Sequence, residues 1–165
     1  MPSHRNAKRD DLPGIVAIYN STIPTRMVTA DLESVSVESR VAWFEEHSPK
    51  DWPLWVVERE GRVVAWLSFS AWNKRCGYRR TAELSLYVDE SVRRLGIGSY
   101  LLEQAIASAP GLGFDNFIGL IFGHNAPSLK LFERFGFERW GLLPNVTVLD
   151  GIERDVVILG RRVGG

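Results

Sequence analysis

The stretch Thr81–Ala109 constrains the fold more than any other part of the sequence, because a strand, a glycine loop and a helix follow one another in it without a break. Over its first eight residues polar and apolar side chains alternate, which is the period of a strand with one buried face, and Glu83 lies on the polar face. A loop with Gly96 and Gly98 comes next, and apolar residues then recur at helical spacing up to Pro110, which we expect to end the helix. The sequence therefore predicts a glycine loop at the N-terminus of a helix.

The loop residues Arg93–Ser99 are suited to binding an anion. Backbone N–H groups in the first turn of a helix have no partner within the helix, and the positive end of the helix dipole adds to their attraction for phosphate. Glycine lets a ligand approach the backbone closely, and Arg93 and Arg94 supply positive charge. The dinucleotide motif G-x-G-x-x-G near a first strand and the nucleoside triphosphate motif G-x-x-x-x-G-K are both absent, so neither of these two phosphate sites is predicted.

Composition limits the partners of the protein. The chain has 165 residues, which suit one domain spanning 1–165, and its 20 basic and 20 acidic side chains give no formal net charge. A neutral chain is not expected to bind nucleic acid or an anionic membrane through a broad basic surface. The single cysteine, Cys76, excludes an internal disulfide, and neither a signal-peptide pattern nor an apolar stretch of about 20 residues is present. We therefore expect a cytoplasmic protein without nucleic-acid or membrane partners.

The remaining segments predict helices on both faces of a sheet, which is an α/β or α+β fold. Apolar periods, caps and turn signals predict helices from Leu12 to Tyr19, from Ser36 to before Pro49 and from Asn125 to Gly136, and strands at Leu54–Glu58, Val63–Ser70, Phe114–Phe122, Phe137–Leu142, Val146–Leu149 and Arg154–Leu159. The final residues Arg161–Gly165 are expected to fray. Ser21–Glu33 has no clear period and is predicted to be a loop, which either folds over a site or is a plain connection.

A basic connection, Ala71–Arg80, leads into the strand of the opening stretch. It has four cationic side chains in ten residues, which either remain solvated or hold an anionic group, since arginine matches carboxylate geometry in a bidentate manner. Cys76 lies in this connection, and no histidine is placed to activate it, so an ordinary thiol is expected. The three histidines show no ligand spacing, and we expect no metal site.

Several ordered stretches together resemble the GCN5-related N-acetyltransferase (GNAT) superfamily, and within it the phosphinothricin and methionine sulfoximine N-acetyltransferase group. The cofactor motif of the superfamily is Q/R-x-x-G-x-G/A after a central strand, and Arg93–Gly98 fits it. The resemblance runs nearly end to end, through AIYNSTI, SVESRVAWFEEH, the loop ending TAE, LSLYV, GIGSYLLEQAI, HNAPSLKLFERFGFERWG and DGIERDVVILGRRV. It implies a GNAT fold, in which a mixed central sheet splays beside the cofactor strand, helices cover both faces and acetyl-CoA lies in the gap.

The resemblance also implies which residues hold acetyl-CoA. The central strand bonds the pantetheine arm as an added strand would, the glycine loop holds the pyrophosphate, and Asn125 contacts the far end of the arm. The implied cofactor set is Leu86, Tyr87, Val88, Arg93, Arg94, Leu95, Gly96, Ile97, Gly98, Ser99, Asn125 and Ser128. Asn125 is equally suited to capping a helix, and its amide can serve both roles. Arg94 stands where the resembling enzymes commonly have glycine, yet we expect cofactor binding to survive because backbone groups do the holding.

Acetyl transfer to an amine needs a base, because an ammonium group has no lone pair to attack a thioester. Glu83 matches the glutamate that has this role in the resembling enzymes, where it acts directly or through a water, and partial burial would raise its pKa. The alternative is a structural carboxylate that is paired with Arg75 or Arg79 and is catalytically idle. A backbone N–H near Val88 is expected to stabilise the oxyanion.

The resembling enzymes use tyrosine or histidine to protonate the leaving thiolate, but this chain has Phe132 at that position. The general acid is therefore unassigned, and water or Tyr87 are the alternatives. A thiol pKa of about 8.5 makes thiolate a tolerable leaving group near neutral pH, so a dedicated acid is not mandatory.

For the acceptor the resemblance implies a small α-amino acid analogue with a phosphinyl, sulfoximine or sulfone group, and a homodimer whose second subunit contributes to the pocket. Arg75 or Arg79 would pair with the carboxylate of this acceptor, and Trp72, Tyr78 and Met27 would form the walls. Two rivals stay open. One is an acetyltransferase of protein N-termini or lysines with an open peptide groove, and the other is a non-catalytic acyl-CoA-binding sensor, which the missing acid favours.

Overall fold

Seven strands form one mixed sheet with helices on both faces, and the computed structural model describes residues 1–165. The strands are β1 Arg5–Asn6, β2 Leu54–Arg59, β3 Arg62–Ala71, β4 Thr81–Val88, β5 Asn116–Phe122, β6 Glu138–Leu149 and β7 Ile152–Arg162, in the order β1-β2-β3-β4-β5-β7-β6. The helices are α1 Leu12–Thr22, α2 Val41–Glu45, α3 Ile97–Leu112 and α4 Ala126–Arg134. Neighbouring strands are antiparallel except β4 and β5, which are parallel and are joined through α3. The predicted mixed α/β sheet is confirmed.

The parallel strands β4 and β5 separate part-way along their length. They pair only through their first residues, and the last paired position joins Glu83 to Ile118. Beyond this point β4 continues to Val88 while it stays paired with β3. Backbone groups on the β5 side of β4 therefore have no strand partner after Glu83, and a polar ligand can satisfy them.

The two faces of the sheet pack against different helices. The face that includes Ala82 and Leu84 builds the main core with α3, α4 and their flanking segments. The opposite face packs against α1, and the Nε1 of Trp66 donates to the carbonyl oxygen of Ile15 at 3.1 Å. The alternation predicted for β4 therefore separates a buried apolar face from the face that carries Glu83.

Several helix boundaries differ from the sequence prediction, and α1 extends to Thr22 beyond the expected Tyr19. The helix α3 does not end at Pro110 but continues to Leu112, because a proline in the last turn removes a single backbone hydrogen bond. It ends at Gly113, whose φ of 77° is the left-handed conformation that glycine adopts most easily. The helix predicted from Ser36 shortens to a 3₁₀ turn at Glu38–Arg40 followed by α2.

The C-terminal segment is more regular than the sequence predicts. Arg161 and Arg162 do not fray but belong to β7, because both pair with residues of β5. The two strands expected on either side of Pro144 form the single strand β6, whose pairing with β7 is irregular between Leu143 and Thr147. Proline is tolerated there because β6 is an edge strand, where one side needs no ladder hydrogen bond.

Candidate active site

A groove of about 710 Å³ opens where β4 and β5 diverge and extends over the N-terminus of α3. The expected cofactor residues line this groove with the exception of Leu95, namely Leu86, Tyr87, Val88, Arg93, Arg94, Gly96, Ile97, Gly98, Ser99, Asn125 and Ser128. Leu95 is exposed instead and lines a separate cavity beside the first residues of the chain. The structure therefore brings the strand, the glycine loop and the start of α4 to one concave surface.

The glycine loop leaves backbone donors free at the helix start. The first residue of α3 with a bonded N–H is Tyr100, which donates to the carbonyl oxygen of Gly96 at 2.9 Å. The preceding amides of Ile97–Ser99 have no partner within the helix, as the geometry of a helix start requires. A Cβ on Gly98 would lie 3.3 Å from Cδ2 of Leu131, so glycine also permits the close packing of α3 on α4. Arginine and lysine side chains line the same end of the groove, and the arrangement fits a pyrophosphate.

Asn125 fixes the loop after α1 to the groove. Its Oδ1 accepts from the backbone N–H of Ser128 at 3.3 Å, and its Nδ2 donates to the carbonyl oxygen of Met27 at 2.8 Å. His124 Nε2 donates to the carbonyl oxygen of Arg26 at 2.7 Å. The loop between α1 and α2 therefore lines the groove and is not a plain surface connection. The sequence analysis missed this attachment, since nothing local links residues so far apart in the chain.

Glu83 is the last residue of β4 that pairs with β5, and its neighbours are Ser70 on β3 and Ile118 on β5. It is half-buried, and burial raises the pKa of its carboxyl group. The alternative of a structural pair with an arginine is not seen: Arg79 pairs with Asp51 at 3.1 Å, and Arg75 forms no ion pair. Glu83 is therefore a carboxylate whose environment favours taking up a proton.

A second, smaller cavity of about 210 Å³ lies under α1 on the Glu83 face. Its polar lining consists of Tyr19, Arg40, Ser68, Ser85 and Tyr87, and its apolar lining consists of Ile15, Val16, Trp43 and Trp66. The ring of Tyr87 stacks on Trp66 at 4.5 Å, and burial raises the pKa of the Tyr87 hydroxyl, which stays neutral. Arg40 pairs with Asp31 at 3.0 Å, so its charge is already balanced. Tyr19 and Arg40 were not predicted, because only the fold brings them beside β4.

The five predicted substrate residues do not meet within this chain. Arg75 and Arg79 line a cavity of about 550 Å³ beside Trp52, and Arg79 lies over the ring of that tryptophan at 5.0 Å. Tyr78 is exposed and Trp72 is half-buried, while Met27 lines the cofactor groove. Cys76 is exposed in the same basic connection.

Phe132 is a packing residue. Only 5% of it is exposed, its ring meets Phe137 at 5.0 Å, and it covers Gly119, where a Cβ would lie 3.0 Å from its Cε1. Phe132 itself therefore offers the groove neither a hydroxyl nor an imidazole. The structure holds no group of three or more His, Cys, Asp or Glu side chains arranged for a metal ion, and none of its helices has the length and apolarity to span a membrane.

A sequence model of the acetyltransferase (GNAT) family matches residues 15–137, which include the separated strands, the glycine loop and α4. The chain belongs to the GNAT family. It is therefore an acyltransferase, and the predicted GNAT fold is confirmed.

Two GNAT relatives match over nearly their whole length. YwnH of Bacillus subtilis, assigned provisionally as a phosphinothricin acetyltransferase, is 51% identical over 160 residues, which are 96% of this chain and 98% of YwnH. The L-methionine sulfoximine/L-methionine sulfone acetyltransferase of Pseudomonas paraeruginosa is 34% identical over 145 residues, which are 87% of this chain and 84% of that enzyme.

Solved GNAT structures superpose closely on this chain. The structure of YncA from Salmonella typhimurium with its cofactor acetyl-CoA has a TM-score of 0.92 and 28% identity, covering 100% of this chain and 95% of that one. The structure of ribosomal-protein-alanine N-acetyltransferase from Brucella melitensis has a TM-score of 0.90 and 32% identity, covering 97% of this chain and 99% of that one.

Proposed function

We propose that this GNAT enzyme transfers the acetyl group of acetyl-CoA to the α-amino group of a small amino acid or analogue, of the phosphinothricin or methionine sulfoximine and sulfone type. The observation that carries the proposal is the position of Glu83, which is half-buried and free of ion pairs at the point where β4 and β5 part. The names of the two relatives support the acceptor class.

The cofactor groove fits acetyl-CoA, which supplies the acetyl group as an activated thioester. The backbone of Leu86–Val88, free on the β5 side, would bond the pantetheine arm, and the amides of Ile97–Ser99 would hold the pyrophosphate. Arg93 and Arg94 add positive charge at the same end. Asn125 already bonds Met27 and Ser128, so its remaining amide proton is the one that would reach the arm.

Glu83 would act as the general base. Its carboxylate would remove a proton from the acceptor ammonium, directly or through a water, and the neutral amine would attack the thioester carbonyl in one step. Because burial raises the pKa of Glu83, its carboxylate is a stronger base than an exposed one. A backbone N–H near Val88 would stabilise the negative charge that develops on the carbonyl oxygen.

Solvent would protonate the departing thiolate. Phe132 has no proton to give, and the raised pKa of Tyr87 makes that hydroxyl a weaker acid than an ordinary tyrosine. The thiolate of a thiol with a pKa of about 8.5 leaves without a dedicated acid near neutral pH. The absence of a general acid at position 132 therefore does not favour a non-catalytic acyl-CoA sensor over an enzyme.

Acceptor recognition would use the basic connection. Arg75 is the better of the two predicted arginines for the acceptor carboxylate, since Arg79 is held by Asp51. Trp72, Tyr78 and Met27 remain the proposed walls, and their separation within one protomer is consistent with a homodimer in which the second subunit completes the pocket. We further infer a cytoplasmic enzyme without a metal.

A protein N-terminal acetyltransferase is the second candidate, because the ribosomal-protein-alanine enzyme is similar over nearly the whole chain. Such an enzyme needs an open groove for a peptide. The loop held by His124 and Asn125 lines the groove here and favours a small acceptor.

Thiol release from acetyl-CoA tests the proposal. The acceptors are phosphinothricin, methionine sulfoximine, methionine sulfone and a panel of peptides that includes one with an N-terminal alanine. We expect release with at least one of the small acceptors and little with peptides. Release with the peptides alone would favour the second candidate, and no release with any acceptor would favour a sensor.

A further inference from the structure

The sheet face that carries Glu83 is covered by α1 on one side of this residue and is only partly covered on the other side. On β3 and β4 the face packs under α1, where Trp66 is buried. On β5 and β6 two large apolar side chains are open to solvent: Leu120 is 41% exposed and Trp140 is 44% exposed. Ile118, which is paired with Glu83, is only 7% exposed, so the open half of this face begins one strand away from Glu83.

A row of paired residues runs from Glu83 across β5 and β7 and ends on β6 at Glu138, while Trp140 lies at the irregularity that follows, between Arg139 and Gly141. Glu83 pairs with Ile118, and Ile118 pairs with Gly160 on β7. Residues paired in register point to the same face, and with strands about 4.8 Å apart Gly160 lies roughly 10 Å from Glu83. A Cβ on Gly160 would overlap the indole of Trp140, so the ring lies over Gly160 on the Glu83 face.

The residues on one side of this row are apolar, whereas Asn116 and Arg162 lie on its other side. Leu120 pairs with Ile158, one step further along the same face, and Ile158 is close enough to Gly141 that a Cβ there would lie 3.2 Å from its Cδ1. We call Ile118, Leu120, Ile158 and Trp140 the apolar floor. None of these side chains is charged, and the indole forms the far edge of the floor as seen from Glu83.

We propose that the apolar floor binds the side chain of the acceptor and that Trp140, lying over Gly160, selects for its length. The inference rests on the proposed function, because it needs an acceptor whose α-amino group is held at Glu83. A side chain directed outward from there passes Ile118, which is only 7% exposed, and reaches the exposed Leu120 and Trp140. An uncharged aliphatic chain of the length of methionine sulfone reaches the indole, whereas the methyl group of alanine does not.

The experiment compares methionine sulfone with alanine as acceptors in the wild type, Trp140→Ala, Trp140→Phe and Gly160→Ala. Val148→Ala is the matched control, because Val148 is an exposed apolar residue at the other end of β6. We expect Trp140→Ala to reduce the preference in kcat/KM for methionine sulfone about tenfold or more, through the KM of that acceptor. The preference of Trp140→Phe should lie between those of the wild type and Trp140→Ala. Gly160→Ala should also reduce the preference, because its Cβ displaces the indole. The KM of acetyl-CoA and the control should not change.

Calorimetry of methionine sulfone binding with CoA present accompanies the kinetics, and size-exclusion chromatography follows the oligomeric state. An unchanged acceptor preference in Trp140→Ala, in a wild type that uses methionine sulfone, would overturn the apolar floor and leave the proposed function in place. A change of oligomeric state without a change of preference would make Trp140 an interface residue and would also overturn it. If the wild type neither binds nor acetylates any small amino acid, the proposed function fails and the floor fails with it.

Discussion

Replacing Glu83 by glutamine should remove most of the turnover without disturbing the fold or the binding of acetyl-CoA. Glutamine has the same shape as glutamate, and burial is the sole source of the pKa shift of Glu83, so no hydrogen bond or ion pair is lost. The cofactor groove is lined by Leu86–Val88 of β4, the glycine loop and α4, and Glu83 is not part of its lining. The substitution therefore changes the proton acceptor and little else.

The size of the effect follows from the chemistry that remains. A positioned general base contributes about 10²–10⁴-fold, which is roughly 3–5 kcal/mol of the barrier. Solvent can still take the proton from the acceptor at this half-exposed position, so we expect the lower part of that range, a loss of about 10²–10³-fold in kcat.

The pH dependence gives an independent check. Because the folded-state pKa of Glu83 is raised above its ordinary value of 4.5, kcat/KM should rise with pH through a midpoint above 4.5, and the glutamine variant should lack this rise. Because the pKa of Glu83 is higher in the folded than in the unfolded protein, the protonated group stabilises the fold. This contribution is fully present below the pKa that Glu83 has in the unfolded protein, and it is lost as pH rises through the pKa that Glu83 has in the folded protein. The variant should therefore be at least as stable as the wild type at neutral pH, and this advantage should vanish in acid.

Thiol release at saturating acetyl-CoA measures kcat, calorimetry measures the affinity for CoA, and urea unfolding at several pH values measures stability. Glu103→Gln on the exposed side of α3 is the matched control and should behave as the wild type. Turnover of the Glu83 variant within about threefold of the wild type would refute the role of this carboxylate as the base, since a working base contributes about 10²-fold at least.

Substitutions at three further positions test the groove. Gly98→Ala places a Cβ 3.3 Å from Leu131, at the point where the backbone should also approach the pyrophosphate. Acetyl-CoA should therefore bind about tenfold more weakly or worse. An unchanged Kd by calorimetry would contradict the close approach. Asn125→Ala removes the cap of α4 and the bond to Met27 and should cost about 1–3 kcal/mol in urea unfolding, and Asn125→Asp, which keeps the cap, should recover part of it. Phe132→Leu should cost about 1–2 kcal/mol of stability, yet turnover per folded molecule should stay within about threefold because the ring donates no proton.

The parts of the site that the sequence predicts are those whose signals are local. Alternation over β4 places Glu83 on the polar face, and two glycines before an apolar helix predict the anion loop, because both patterns depend on neighbours in the chain. The predicted end of α3 was wrong because two local signals for the end of a helix compete there. Pro110 is the stronger helix-ending signal by composition, but Gly113, three residues later, supplies the left-handed φ that closes the helix.

Contacts between distant parts of the chain could not be predicted in the same way. Arg75 or Arg79 was expected to pair with the acceptor carboxylate, and the ion pair of Arg79 with Asp51 was not foreseen, because the turn before β2 and the basic connection meet only in the folded sheet. The bond between Asn125 and Met27 joins residues 98 positions apart. A residue type indicates what such a group can bind, but the strand order decides which partner lies within reach.

The contact at Gly160 was not predicted either, since the last strand was expected to end at Leu159, one residue before it. An isolated glycine inside a strand pattern often marks a place where another group approaches the backbone closely. Here the approaching group is the indole of Trp140, which no side chain on Gly160 would permit. Identifying that group required the order β5-β7-β6, since only this order places Gly160 beside Ile118 and hence two strands from Glu83. The local pattern of β4 is thus enough to predict the proposed base, Glu83. The proposed limit on the length of the acceptor side chain depends instead on Trp140 and Gly160, which lie on different strands.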